Sequence, residues 1–372
     1  MMNFNPIDKI DKTLFVAIVI LIFIGLIIIF STSYSSIGTD FLNFKKQLVF
    51  SIFGIVLMMS ASFFDYRALK NYTGIFYISA CFILFAVLFS GSLIRGTSSW
   101  FSFGSFNFQP AEFVKIAVII IMAKYLAKEN NLFNDLKKII VSGIYISLPV
   151  LLIILQPDLG SALVIMFIWI SMLFVVGTNK RYIIFILFAG LFLFTASWSY
   201  VLEDYQKDRI ITFVNPQSDP HGAGYNVIQS IIAIGSGEIW GKGLGHGSQS
   251  QLNFLPEKHT DFIFAVIAEE MGFIGVLLVL GLFGIIFYRL FEIVRESQNN
   301  FGKLLVLGTA FMLMFHVIVN AGMNMGIMPV TGIPLPFISY GGSSLVSFLI
   351  MMGIVQSVYI KGRGYKIEKG EE

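Results

Sequence analysis

Stretches of about twenty residues with few or no charges recur along this chain, and no soluble core can absorb that pattern. A helix needs about 20 apolar residues to cross the hydrocarbon of a bilayer. Such stretches lie near 14–34, 45–64, 71–90, 110–127, 138–155, 158–177, 181–200, 261–289, 302–325 and 338–360. In hydrocarbon, backbone N–H and C=O groups must be paired inside the protein, and segments of this length do so as helices. The expected fold class is therefore all-α: a polytopic membrane protein of ten transmembrane helices forming a single domain over 1–372. Composition agrees, since 56% of the residues are hydrophobic and 13% charged, with a mean hydropathy of +0.81. Soluble domains carry about 25% charged residues. A net charge of +3 is too small for a nucleic-acid partner, and the single Cys81 excludes an intramolecular disulfide. The first apolar run follows Lys9 and Lys12 as in a signal peptide, but it is long enough to span and is read as a retained helix.

Lysine and arginine gather in cytoplasmic loops. With the N-terminus inside, 17 of the 25 basic residues fall in inside loops and 7, including Arg95 and Lys258, in outside ones. Both termini are thus expected in the cytoplasm. The stretch 201–260, between the seventh and eighth helices, becomes a large extracytoplasmic loop, with an amphipathic helix over 225–234 suited to the membrane interface.

Four polar motifs then share one side. Gln109-Pro110-Ala111-Glu112-Phe113-Val114-Lys115 opens the fourth helix, and Gln156-Pro157-Asp158 opens the sixth. Glu257-Lys258-His259-Thr260-Asp261 opens the eighth, and Pro334 to Ser344, including Ser343 and Ser344, opens the tenth. Charged groups at membrane depth are costly and mark function. Glu112 and Lys115 share a helix face at i and i+3. Lys115 needs an anion, which is Glu112, Asp158 or a ligand phosphate held by a point charge. Asp158 is either a first-turn acid or part of the site. Asp261 is either a helix cap favoured by the dipole or a general base, poised between burial and the cations Lys258 and His259. Glu269 and Glu270 lie deeper on the same helix and face different ways, so at least one is structural. The glycines at 235, 237, 241, 243, 245 and 247 follow an amphipathic helix rather than a strand, which excludes a nucleotide loop; they suit tight turns or a backbone nest for an anion. His221 and His316 lack metal-ligand spacing, so no protein-built metal site is expected.

The motifs Phe108–Lys115, Gln156–Gly160, Gln229–Gly237, Gly241–Gly245, Phe254–Phe264 and Pro334–Ser344 resemble those of the SEDS family of RodA, FtsW and the sporulation homologue. Gly222–Ser230 and Pro256-Glu257-Lys258-His259 are closer to the RodA branch. The resemblance covers essentially the whole chain. It implies ten helices in the bacterial cytoplasmic membrane and a peptidoglycan glycosyltransferase that polymerises lipid II at the outer leaflet during cell elongation. It places the family's essential aspartate at Asp261, its membrane-embedded pair at Glu112 and Lys115, and its Gln-Pro-Asp acid at Asp158. Glu257, Lys258, His259, Ser343 and Ser344 would support substrate or charge. It also implies a class B penicillin-binding protein as transpeptidase partner, with MreC and MreD in the elongation complex. A divalent cation, Mg or Mn, would be held through the substrate diphosphate, whose hard oxygens suit it.

Two rival functions use the same residues. A lipid II transporter would place its ligand groups near the bilayer midplane on broken helices, whereas these acids gather at one end. A non-catalytic scaffold for the transpeptidase would leave Asp261 and Lys115 without a reason.

Overall fold

The computed structural model describes residues 9–35, 38–94, 97–104, 106–128, 135–200, 204–218 and 222–369. His221 and Arg95 lie outside the described residues. Each apolar stretch becomes a helix: α1 Lys12–Ser33, α2 Leu42–Phe63, α3 Tyr66–Ser90, α4 Pro110–Ala127, α5 Asp135–Ile154, α6 Leu159–Val175 and α7 Lys180–Tyr200. After the loop helices α8 Asp204–Val214, α9 Ala223–Ser236 and α10 Ser248–Gln251 come α11 Ile263–Glu296, α12 Asn300–Asn324 and α13 Gly342–Lys369. By length and composition α1, α2, α3, α5, α11, α12 and α13 are able to cross a membrane. The protein is thus a multi-pass membrane protein. α4 is interrupted by Glu112, Lys115 and Lys124, and α6 has 17 residues.

Short polar residues start the helices. Asp11, Asp65, Asp158 and Asn299 each accept a backbone N–H of the following turn, and Pro110 occupies the first turn of α4, where its missing N–H costs nothing. α12 and α13 form the centre, with 78% of their apolar windows buried against 22% for α3. α4 is buried along most of its length, which is why its charged residues need partners inside the protein. Large side chains such as Phe82, Phe185, Phe188 and Phe192 point outward, as lipid-facing residues do.

Short strands close two connections. β1 (Tyr34–Ser35) pairs with β2 (Gly38–Thr39) after α1. β3 (Ser92–Ile94), β4 (Thr97–Phe103) and β5 (Phe106–Phe108) form an antiparallel sheet ahead of α4, with Phe101 opposite Phe108 and Ser102 opposite Asn107.

α11 is two helices in one line. Gly272 has φ 67° and ψ −166°, a conformation open essentially to glycine alone. The break frees backbone groups, and the segment 238–243 inserts to pair with them. Lys242 N and Gly243 N donate to the carbonyls of Glu269 (2.9 Å) and Glu270 (3.0 Å), while Phe273 N and Ile274 N donate to those of Glu238 (2.9 Å) and Ile239 (3.2 Å). A Cβ on Gly237 would stand 1.8 Å from the Ala268 carbonyl oxygen, and one on Gly241 2.3 Å from that of Glu270. The glycine run therefore serves close backbone approach to α11.

At the opposite end of the bundle Asp11 joins three helices. Arg289 of α11 binds its carboxylate at 2.8 and 2.5 Å, and Gln356 of α13 exchanges two hydrogen bonds with its backbone.

Candidate functional site

Residues 257–262 form a turn that closes before α11 begins: the Glu257 carbonyl accepts from Thr260 N at 3.0 Å and Phe262 N at 3.3 Å. Asp261 thus precedes the helix by two residues instead of opening it, and the cap position falls to Phe262. Its main-chain carbonyl accepts the side-chain amides of Asn320 (3.1 Å) and Asn324 (2.9 Å) of α12. Asn320 also donates to the Ile333 carbonyl at 2.8 Å, and Asn324 Oδ1 accepts the Ala265 N–H at 3.1 Å. The backbone of this turn is therefore fixed to α12 and to the connection before α13. The Asp261 carboxylate is half-buried and faces Gly332, where a Cβ would stand 3.7 Å from Oδ2.

The connection 333–341 is sewn to the same turn. Ser339 Oγ donates to the Thr260 carbonyl at 2.7 Å and accepts Leu335 N at 2.8 Å, and Tyr340 N donates to the His259 carbonyl at 2.8 Å. Gln47 of α2 bridges Ser339 O and Gly341 N.

Within the turn, Lys258 and His259 are committed to bracing it. The buried Lys258 ammonium donates to Ser250 O (2.6 Å) and Asn253 Oδ1 (2.7 Å). Burial lowers its pKa, opposed by Glu270. His259 Nδ1 lies 2.9 Å from Thr32 Oγ1. The Thr32 hydroxyl proton goes to the Ile28 carbonyl, so Nδ1 is the donor to Oγ1. Burial, reinforced by the Lys258 charge and opposed by Asp40, holds His259 down at about 4, so it is neutral near pH 7. Glu257 is exposed and accepts the Thr260 hydroxyl at 3.0 Å.

Lys115 is 1% exposed and Glu112 3%. Their ion pair spans 2.8 Å, so of the open alternatives for the lysine's anion the structure selects Glu112 over Asp158. Glu112 Oε2 also accepts the Ser347 hydroxyl of α13 at 3.2 Å. Lys115 Nζ has a second partner, His316 Nε2 of α12, at 3.2 Å. Asp158 caps α6 through Ser161 N (3.0 Å) and accepts Gln109 Nε2 at 3.0 Å. Gln109 N in turn donates to Ser343 Oγ at 3.1 Å, and Ser343 Oγ donates to the Asn107 carbonyl at 3.3 Å. Ser344 Oγ donates to Gly341 O at 3.1 Å.

Both deeper acids are structural. Glu269 is fully buried and collects Gln249 N (2.8 Å), Ser250 N (3.0 Å) and Lys242 Nζ (3.3 Å). Glu270 accepts Ser31 Oγ at 2.7 Å, Gln251 Nε2 at 3.2 Å and a backbone bond from Gly245. The anion held by this glycine-rich segment is thus the protein's own pair of carboxylates.

The four motifs consequently meet at one end of the bundle: α4, α6 and α13 through Gln109, and the Asp261 turn and α13 through Ser339 and Tyr340. Sequence reading names Gln109 only as part of its motif, without a partner, and it passes over Gln47, Asn320, Asn324 and the partner role of His316. The last three stand at i, i+4 and i+8 inside an apolar span, a visible stripe of costly polar groups. Among the described residues, no three His, Cys, Asp or Glu side chains gather as a metal would require. An apolar cavity of about 410 Å³ runs between α2, α3, α4 and α13, lined by Phe76, Ile83, Phe113, Ile116 and Ile350 among others. Phe113 adjoins Glu112 in sequence, so the cavity reaches the helix that carries the ion pair.

Comparison with known proteins supplies the family. A family model for FtsW, RodA and SpoVE, described as cell cycle protein, matches residues 12–363. The chain is 37% identical to the peptidoglycan glycosyltransferase MrdB of Escherichia coli over 355 residues, 95% of this chain and 94% of that one. It is 34% identical to the peptidoglycan glycosyltransferase RodA of Treponema pallidum, covering 96% and 99%. A solved structure concerned with structural coordination of polymerization and crosslinking by a peptidoglycan synthase complex superposes with a TM-score of 0.80 at 31% identity, covering 95% of this chain and 98% of that one. The rod shape determining protein RodA of Thermus thermophilus superposes with a TM-score of 0.70 at 29% identity, covering 94% and 96%. This chain belongs to the FtsW/RodA/SpoVE family.

Proposed function

We propose that this chain is a peptidoglycan glycosyltransferase that polymerises lipid II into glycan strands during cell elongation and rod-shape maintenance. The observation that carries the reading is Asp261: a half-buried carboxylate on a turn whose backbone is tied to α12 and to the connection before α13. A fixed carboxylate at a polar mouth is what a general base requires. In this reading Asp261 takes the proton of the 4-hydroxyl of an acceptor GlcNAc. That oxygen bonds to the anomeric carbon of a donor MurNAc, the bond to the diphosphate oxygen breaks, and undecaprenyl diphosphate departs with inversion. The Glu112–Lys115 pair supplies buried charge beneath the mouth, with Lys115 assigned to the developing charge of the leaving group. Asp158, Glu257, Lys258, His259, Ser343 and Ser344 brace or line the mouth. A divalent cation, Mg or Mn, would ride on the diphosphate oxygens and neutralise them. The apolar cavity beside α4 suits a long hydrocarbon chain.

All ten long helices would span the membrane as one domain over 1–372, with both termini cytoplasmic, the loop of about 201–260 outside and the Asp261 mouth facing out. The seventeen-to-seven split of basic residues supports that orientation. A class B penicillin-binding protein is the proposed transpeptidase partner, within a complex containing MreC and MreD. The test is the full chain with its transpeptidase in vesicles supplied with labelled lipid II. Glycan polymer is the expected product. Lipid II that crosses the bilayer without polymer would instead show a transporter.

A further inference from the structure

His316 is fully buried in the middle of α12, and the reaction above makes no use of it. Its two nitrogens have different partners. Nδ1 lies 2.8 Å from the Met312 carbonyl one helical turn back. A carbonyl oxygen only accepts, so Nδ1 carries the proton. Nε2 lies 3.2 Å from Lys115 Nζ, and an ammonium only donates, so Nε2 is the acceptor. The geometry thus specifies one neutral tautomer. Phe348 closes the pocket, its ring edge-to-face with His316 at 5.0 Å and 5.9 Å from Lys115 Nζ.

The rest of that stripe points to why the contact matters. Asn320 and Asn324, one and two turns further along α12, hold the Asp261 carbonyl. A single helix therefore grips both the ammonium and the turn that bears the carboxylate. We infer that His316 is a positioning residue, whose Nε2 fixes the Lys115 ammonium and through α12 sets it relative to Asp261. A lysine stem is flexible and its charge compact. Glu112 alone, on the same helix, fixes the ammonium toward α4; the second acceptor on α12 fixes it across the helix interface. This inference rests on the assignment of Lys115 to the reaction given above.

The experiment exploits the two nitrogens separately. In His316→Asn the amide NH2 occupies the place of Nδ1 and keeps the Met312 bond, but it does not reach Lys115. In His316→Gln the longer amide oxygen reaches the place of Nε2. Both variants are made in the full chain with its transpeptidase, beside Lys115→Met, and assayed for glycan synthesis. His316→Gln is expected to keep kcat within about threefold, and His316→Asn to lose about ten- to a hundredfold in kcat with KM nearly unchanged, since a misplacement near 1 Å costs up to about a hundredfold. If Asn preserves activity as well as Gln, or Gln fails as Asn does, the inference is overturned. If Lys115→Met polymerises normally, the underlying assignment of Lys115 fails instead. Nitrogen NMR of histidine-labelled wild type reads the tautomer independently of activity. The signal absent from His316→Gln should show a protonated Nδ1 and an unprotonated Nε2; a protonated Nε2 would refute the contact.

Discussion

Lys115→Met in a wild-type background leaves the Glu112 carboxylate buried and without its cation at 2.8 Å. Ser347 Oγ at 3.2 Å remains its hydrogen-bond donor. Removing one partner of a buried ion pair costs about 3–5 kcal/mol, whereas replacing both with apolar groups of similar volume is often close to neutral. Insertion measurements put a lone charge at the centre of a membrane helix in the same range, about 2.5–3.5 kcal/mol. The double variant Glu112→Leu/Lys115→Met should therefore recover most of the stability lost by Lys115→Met. One defect persists, because His316 Nε2 loses its donor, and an unpaired buried acceptor costs about 1–3 kcal/mol. Reversible denaturation in detergent, run as a double-mutant cycle, measures the coupling; glycan synthesis is measured on the same preparations. The expected result is that stability returns in the double variant and polymerisation does not. A double variant that folds and polymerises at the wild-type rate would refute any role for Lys115 beyond packing.

Three further outcomes follow from other parts of the frame. His259 is neutral in the folded protein, with its pKa held at about 4 against 6.5 for the free side chain. The unfolded chain therefore binds a proton more readily between those values. The stability this group contributes, on the order of 3 kcal/mol, is complete above about pH 6.5 and is lost as the pH falls toward about 4; denaturation profiles of His259→Asn should lack that slope. Gly272→Ala places a Cβ 2.3 Å from Gly241 N and 2.5 Å from the Ile239 carbonyl oxygen. With a backbone cost of about 1–3 kcal/mol besides, it should expel the 238–243 segment and open it to protease. Asn320→Leu leaves the Ile333 carbonyl without this donor and the Asp261 carbonyl with Asn324 alone, a cost of about 1–3 kcal/mol; kcat should fall more than substrate affinity, as single-turnover and binding assays can separate.

The helices were legible because each is a long apolar run, and the four polar motifs were legible because charge at membrane depth is conspicuous. The break in α11 was not. Gly272 sits inside an apolar run, where a lone glycine costs only about 1 kcal/mol, and its conformation is set by residues 238–243, which approach only in the folded chain. Likewise the alternation Phe101-Ser102-Phe103 and Phe106-Asn107-Phe108 around Gly104 is a hairpin pattern too short to compete with the spans around it. Lys258 shows a different limit: its position among charges suggests a substrate contact, yet its ammonium is taken up by Ser250 O and Asn253. The residue types were visible, but the partners that decide their roles come from elsewhere in the chain. Asp158 shows the same, since the acid foreseen at the head of α6 turns out to be bonded to the Gln109 that opens α4.

Asp261 is proposed as the base for glycan polymerisation. Its most direct test is Asp261→Asn, which keeps the shape of the side chain and leaves the main-chain carbonyl available to Asn320 and Asn324. Wild type and variant, each with its transpeptidase, are given labelled lipid II, and melting confirms that both are folded. Wild type is expected to form polymer and Asp261→Asn none; equal polymer from both would rule out Asp261 as the base.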